Sequence, residues 1–193
     1  MIAEKHWLLY RQLPFDEALD KIKPQYFGKE DEAETASEIE TLLPTLNQVK
    51  SVVEVGAGYG RTAHAILSKF PEMQYAVIDI LPAALIAETW LKQQGHTNVK
   101  FFHPLEKGWP KPNLTICISV LSELDPGEIK QYINLASRGK YLYIKDWKPR
   151  MWKDNRHNPV NEETYQIPKS WTLLLKKDAL MDKRFFEALY SIV

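Results

Sequence analysis

An α/β fold, a mainly parallel sheet with helices on both faces, is what the sequence predicts, and three observations carry it. Short apolar runs alternate with helical stretches from Ser51 onward. A glycine-rich turn, Gly56-Ala-Gly-Tyr-Gly60, joins the first such run to the first helix after it. The chain has 193 residues, 45% hydrophobic and 26% charged, which suits one globular domain large enough for such a sheet.

The elements follow in order. Six acids and no base lie between Glu30 and Glu40, with Ala33, Ala36, Ile39, Leu42, Leu43 and Leu46 at helical spacing beside them. This is an amphipathic helix ending near Asn47, with Pro44 in its last turn and its acids at the favourable N-terminal end. The acids themselves read as a solvated face. Residues 1–50 lack the strand–helix alternation and are expected to form a helical N-terminal cap on a domain spanning 51–193. Ser51–Val55 is the first strand, Arg61–Phe70 a helix stopped by Pro71, and Tyr75–Ile80 the second strand. Pro82 opens a helix that runs to Gln94 and ends at Gly95. Val99–Phe102, Leu114–Val120 and Tyr141–Lys145 are further strands, with a helix over Glu128–Ser137. Thr172–Leu175 and Phe185–Val193 close the chain as a hairpin. Strands separated by helices imply right-handed crossovers and parallel pairing.

Composition sets bounds on function. Lys+Arg 25 against Asp+Glu 25 argues against a nucleic-acid coat. Cys117 stands alone, so no disulfide and no cysteine zinc cluster is expected. No apolar run reaches the roughly 18 residues that cross a bilayer, and the charged start Met1-Ile-Ala-Glu-Lys-His-Trp lacks a secretory core. A cytoplasmic location without membrane contact is the expectation.

The chemistry centres on Val52-Val-Glu-Val-Gly-Ala-Gly-Tyr-Gly-Arg61. Glycines serve where φ is positive and where a ligand approaches the backbone, and the helix behind them aims free N–H groups into the same space. A phosphate loop would need Gly-Lys-Ser/Thr, which is absent, and the third glycine of the dinucleotide fingerprint falls on Arg61. The pattern present is E-x-G-x-G-x-G. A carboxylate at Glu54 suits a cationic cofactor without phosphates, such as S-adenosylmethionine. Asp79, at the end of the second strand, is placed to accept both ribose hydroxyls of a nucleoside. Capping of the next helix by Asp79 is the competing role.

At these residues the chain resembles the Rossmann-like class I S-adenosylmethionine-dependent methyltransferases. Glu54-Val-Gly-Ala-Gly-Tyr-Gly-Arg61, Ile78-Asp-Ile-Leu-Pro82 and Ser119-Val-Leu-Ser-Glu-Leu124 are more narrowly similar to the sugar O-methyltransferase family. The resemblance implies a seven-stranded sheet of order 3-2-1-4-5-7-6 with an antiparallel last strand. It implies cofactor contacts at Glu54, Gly56, Gly58, Tyr59, Gly60, Asp79, Ile80 and Ser119. It also implies transfer of a methyl group to the hydroxyl of a sugar or related small molecule. Pro149, Pro159 and Pro168 depart from the class pattern and leave little room for a last crossover helix.

A hydroxyl acceptor calls for a base or a metal. Ligands in such sheets sit beyond the carboxyl ends of the strands. Residues that reach this crevice are Ser119, Ser122, Glu123 and Asp125 after the fourth strand, His103 after the third, and Lys145 and Asp146 after the fifth. Glu123, with Ser122, is the first candidate for catalysis. Ser122 and Asp125 compete as caps, since Pro126 and Glu128 complete a capping box. His64 reads as packing, Cys117 as core, and no metal cluster is visible. Arg138 to Arg156 carries seven Lys/Arg against Asp146 and Asp154, with Trp147 and Trp152 interleaved. That suits an acidic or nucleotide sugar as partner, and also single-stranded nucleic acid, against the plainer reading that the rings pack the last crossover and the charges are solvated. Methylation of RNA or protein, and a non-catalytic module of the same fold, are the alternatives.

Overall fold

The computed structural model describes residues 29–148 and 165–192. The first 28 residues of the expected cap, and Pro149, Trp152, Arg156 and Pro159 of the expected basic segment and crossover, lie outside the described residues.

Seven strands form one sheet: β1 (Ser51–Val55), β2 (Gln74–Ile78), β3 (Lys100–Phe102), β4 (Leu114–Ile118), β5 (Tyr141–Trp147), β6 (Thr172–Asp178) and β7 (Phe185–Ser191). Their order is β3-β2-β1-β4-β5-β7-β6. The first five pair in parallel, and β7 runs antiparallel to both neighbours. Order and direction are those the resemblance implies.

The helices are α1 (Lys29–Leu46), α2 (Arg61–Lys69), α3 (Leu81–Gln93) and α4 (Pro126–Ala136). Side chains alternate across a strand, so each strand of a covered sheet feeds two cores. Val52, Tyr75, Val77, Leu114, Ile116 and Tyr143 meet Leu42 and Leu46 of α1, Ile66 of α2 and Leu91 of α3. Val53, Ile78, Cys117, Leu142 and Ile144 meet Ile129, Tyr132 and Ile133 of α4, with Tyr165. Three helices thus cover one face and α4 the other. Burying a leucine such as Leu42 contributes roughly 1.5–3 kcal/mol.

Several strand ends differ from the sequence reading, and four of them have a local reason. β2 stops at Ile78 because Asp79 turns its carboxylate back onto two backbone N–H groups. β4 stops at Ile118 because Ser119 adopts φ 54, outside the extended region. β5 runs on to Trp147 because β7 pairs with it there, Trp147 opposite Phe185. β6 reaches Asp178 for the same reason, despite an irregularity between Leu173 and Leu175.

α1 packs into the core on one face of the sheet and is fastened by cations from three elements. Arg61, at the start of α2, makes a two-pronged bond to Glu38, with Nη1 to Oε2 at 2.6 Å and Nη2 to Oε1 at 2.9 Å. Lys145 of β5 donates to Glu38 at 2.7 Å and also to Glu34. Lys177 of β6 donates to Thr41 at 2.8 Å. The acids expected on a solvated face therefore divide. Glu38 is fully buried, whereas Glu32 and Glu40 are exposed.

Candidate functional site

The glycine turn sits where β1 gives way to α2, at the carboxyl ends of the strands. Gly56, Gly58 and Gly60 all have positive φ, at 70°, 58° and 93°. Two of them serve different purposes. A Cβ on Gly56 would lie 2.7 Å from Val120 Cγ2, so Gly56 is there to let the β4 turn pack against the loop. A Cβ on Gly58 would meet nothing within 4 Å. Gly58 therefore faces open space, which the loop leaves for a ligand to approach the backbone.

Asp79 ties this loop to β2. Its Oδ2 accepts from the Gly58 N–H at 3.1 Å and its Oδ1 from the Ile80 N–H at 2.8 Å. Each oxygen keeps a lone pair for a further donor. Burial pushes the carboxyl up to about 6 against these two bonds, and the charge of Glu123 pushes the same way. The arrangement fits a nucleoside: a carboxylate with two acceptor positions beside an open backbone. Ile80 follows with its side chain half exposed at 50%. Tyr59 of the loop stands edge-on to Trp90 with ring centroids 5.3 Å apart, and burial raises its hydroxyl well above the usual range.

Glu54 lies below the loop on the face covered by α1 to α3. It is 2% exposed and accepts from the Tyr75 hydroxyl at 2.7 Å. Burial raises its carboxyl to about 7, with Tyr75, Arg61 and Thr62 opposing. It braces the strand from which the loop springs.

After β4 the structure separates residues that the sequence places together. Ser119 donates its N–H to the Lys145 carbonyl at 2.8 Å and holds its positive φ at the rim of the crevice. Ser122, expected at the chemistry, gives its hydroxyl to Asp146 Oδ1 at 2.6 Å and its N–H to Oδ2 at 3.0 Å. Asp146 is fully buried, accepts the Trp147 N–H as well at 2.8 Å, and anchors the turn Leu121–Glu123. Glu123 is exposed and near enough to Asp79 for its charge to be felt there. Asp125 resolves as a cap: it accepts from the Gly127 and Glu128 N–H groups, and Glu128 returns the bond in a capping box. His103 accepts the Leu105 N–H and sits in the loop after β3. His64 pairs with His96 across 2.9 Å and packs on Trp90. Cys117 is buried and its thiol is pushed up, leaving no nucleophile. Among the described residues no group of three or more metal ligands occurs.

Beside Ser119 opens a cavity of about 550 Å³, within the range for small-molecule sites. Glu34 of α1, Arg61 of α2 and Ser119 form one side. The turn between β6 and β7 forms the other, with Met181, Asp182, Arg184 and Phe185. Arg184 clasps Asp182 through Nε at 2.8 Å and stands over the Trp147 ring at 5.3 Å. Glu34, Arg61 and the β6–β7 turn were not among the expected site residues. One signal was present. Glu34 and Glu38 fall eight and four residues before Leu42, on the stripe that Leu42 and Leu46 continue.

Residues 53–138 match a family model described as a methyltransferase domain. No curated protein matches the chain. Solved structures match it in fold. A SAM-dependent methyltransferase from Aquifex aeolicus superposes with a TM-score of 0.64 at 16% identity, covering 94% of this chain and 100% of that one. The magnesium protoporphyrin IX methyltransferase from Synechocystis PCC 6803, solved with bound SAM, gives 0.61 at 12% identity and covers 90% of both chains. The methyltransferase domain of a bacterial Hen1 protein gives 0.62 at 12% identity, covering 82% of this chain and 99% of that one. Strand order, antiparallel β7 and these likenesses agree: the chain has the Rossmann-like class I methyltransferase fold, and its residues 53–138 match a methyltransferase domain.

Proposed function

We propose that this protein is an S-adenosylmethionine-dependent O-methyltransferase acting on a hydroxyl of a sugar or of a small molecule of similar size. The observation that carries the reading is the clasp of Asp79 on the Gly58 N–H, with open space over Gly58 and the 550 Å³ cavity adjoining at Ser119. Asp79 would take the ribose hydroxyls, the glycine loop the methionine arm, and Ile80 the adenine. Gly56 and Gly60 shape the turn, Glu54 and Tyr59 brace it, and Ser119 borders the point where the two halves of the crevice meet. The cofactor supplies an electrophilic methyl on a sulfonium.

The cavity supports a small acceptor over a polyanion. Its described walls carry two guanidinium groups, Arg61 and Arg184, and two carboxylates, Glu34 and Asp182, so they present no net charge to a phosphate backbone. Met181 and Phe185 add apolar surface that suits the faces of a sugar ring. An uncharged sugar or polyol fits these walls better than an acidic one.

Titration calorimetry with S-adenosylhomocysteine tests the reading. The wild-type protein should bind it, and Asp79→Ala should weaken binding by about 1–3 kcal/mol, the cost of leaving ribose hydroxyls unpaired. A folded wild-type protein without affinity for the nucleoside would overturn the proposal. Transfer of labelled methyl to methyl hexopyranosides and other small polyols, with RNA as the contrasting acceptor, then tests the acceptor class.

A further inference from the structure

We propose that Glu34, on the N-terminal helix α1, is the carboxylate that accepts the acceptor's proton. This rests on the methyltransferase reading above and names a residue that reading leaves open. The competing carboxylate is Glu123, whose charge is felt at Asp79 and which is not among the residues lining the cavity. Glu34 lines the cavity that Ser119 borders.

Three features fit Glu34 for this task. Its side chain is 28% exposed, open enough to reach a bound hydroxyl and to pass a proton to water. Its Oε1 is held by the ammonium of Lys145, which is 2% exposed and pinned in turn by Glu38 at 2.7 Å. A cation fixed in that position holds the Glu34 carboxylate aimed, while Oε2 faces no described donor. The other carboxylate of the cavity, Asp182, has both oxygens on Arg184, at 3.0 Å and 2.8 Å from its Nε. Reaction charge is also accommodated. As Glu34 takes the hydroxyl proton, the oxygen lone pair forms the new O–CH₃ bond. The C–S bond breaks with its electron pair going to sulfur, which neutralises the sulfonium. The proton then leaves Glu34 for solvent. Lys145 and Arg61, both bonded to Glu38, keep α1 docked so that the carboxylate stays in place through the cycle.

The test uses sinefungin, an analogue of S-adenosylhomocysteine that carries a primary amine where the transferable methyl would project. Its ammonium reads the charge facing the transfer point without any acceptor. By calorimetry the full chain should bind sinefungin about tenfold or more tightly than S-adenosylhomocysteine, the worth of one charge-assisted hydrogen bond. Glu34→Gln should abolish that preference and leave S-adenosylhomocysteine affinity unchanged. Glu34→Asp, which keeps the charge one methylene short, should restore part of it. Glu123→Gln should keep the preference. A preference that survives Glu34→Gln, or that vanishes in Glu123→Gln, overturns the assignment while the methyltransferase reading stands. Failure of the wild type to bind either nucleoside overturns both.

Discussion

At Glu54 the fold holds a proton that the unfolded chain would release. Burial raises this carboxyl from 4.5 to about 7. Between those values the folded state binds more protons than the unfolded one, so this group's contribution to stability falls as pH rises through the window. Glu54→Gln keeps an acceptor for the Tyr75 hydroxyl and removes the titration. Urea midpoints of the ligand-free protein, taken from about pH 5 to about pH 8, should decline more in wild type than in Glu54→Gln. Parallel declines would show that Glu54 is already ionised across the range. The same residue shows what a sequence conveys and what it withholds. Its place two residues before Gly56 is what singles out the loop as a candidate for nucleoside binding. Its bond to Tyr75, 21 residues on, depends on the parallel pairing of β1 with β2 and is not written in either segment. Ser122 is the harder case. A serine ahead of a carboxylate at a strand end reads equally as catalyst or cap, and only the arrival of Asp146 from β5 decides where its hydroxyl goes.

The glycine loop shows, within one element, how packing and binding can be told apart. Gly56→Val would drive its side chain into Val120, where the contact is already 2.7 Å for a Cβ alone. Gly58→Val meets only the strain of a β-branched residue at positive φ, about 1–2 kcal/mol, because its Cβ enters open space. Thermal melts should therefore show Gly58→Val folded and Gly56→Val severely destabilised or insoluble. Calorimetry on the folded Gly58→Val protein should show no S-adenosylhomocysteine affinity. Retained affinity would reduce the loop to a turn. Elements of this kind were legible because their signals are local: glycine spacing for the loop, Pro126 and Glu128 for the capping box, alternation for the strands. α1 was legible as a helix and misjudged as a surface. Its acids look solvated until Arg61 and Lys145, 23 and 107 residues from Glu38, are brought to it.

For the molecule as a whole, α1 is the piece that joins the two halves of the crevice. Glu38 receives Arg61 from the start of α2 and Lys145 from β5, and it is fully buried. Removing one member of such a network leaves buried charge uncompensated, which costs about 3–5 kcal/mol. Glu38→Ala should lower folding stability by that amount in urea titrations. It should also weaken S-adenosylhomocysteine binding in the fraction that folds, because Arg61 adjoins Gly60. A loss of stability below about 1 kcal/mol would mean that water replaces the carboxylate and that the buried network is looser than its geometry. Among the described residues no helix is long and apolar enough to cross a membrane.

The slot that β7 fills also sets an order of assembly. β5 and β6 are synthesised before it, yet each finds its neighbour at this end of the sheet only in β7. The hairpin of β6 and β7 closes a short turn, whereas its docking on β5 spans some forty residues of chain, so the hairpin is expected to form first and dock afterwards. While a ribosome is still making residues 185–191, the strand carrying Lys145 and Asp146 has one edge open to other chains. The glycine loop and Asp79 precede β4 in the chain, and the β6–β7 wall of the cavity follows β5. In refolding, nucleoside capture should run ahead of the closure of the cavity, and aggregation should be greatest in the interval between them.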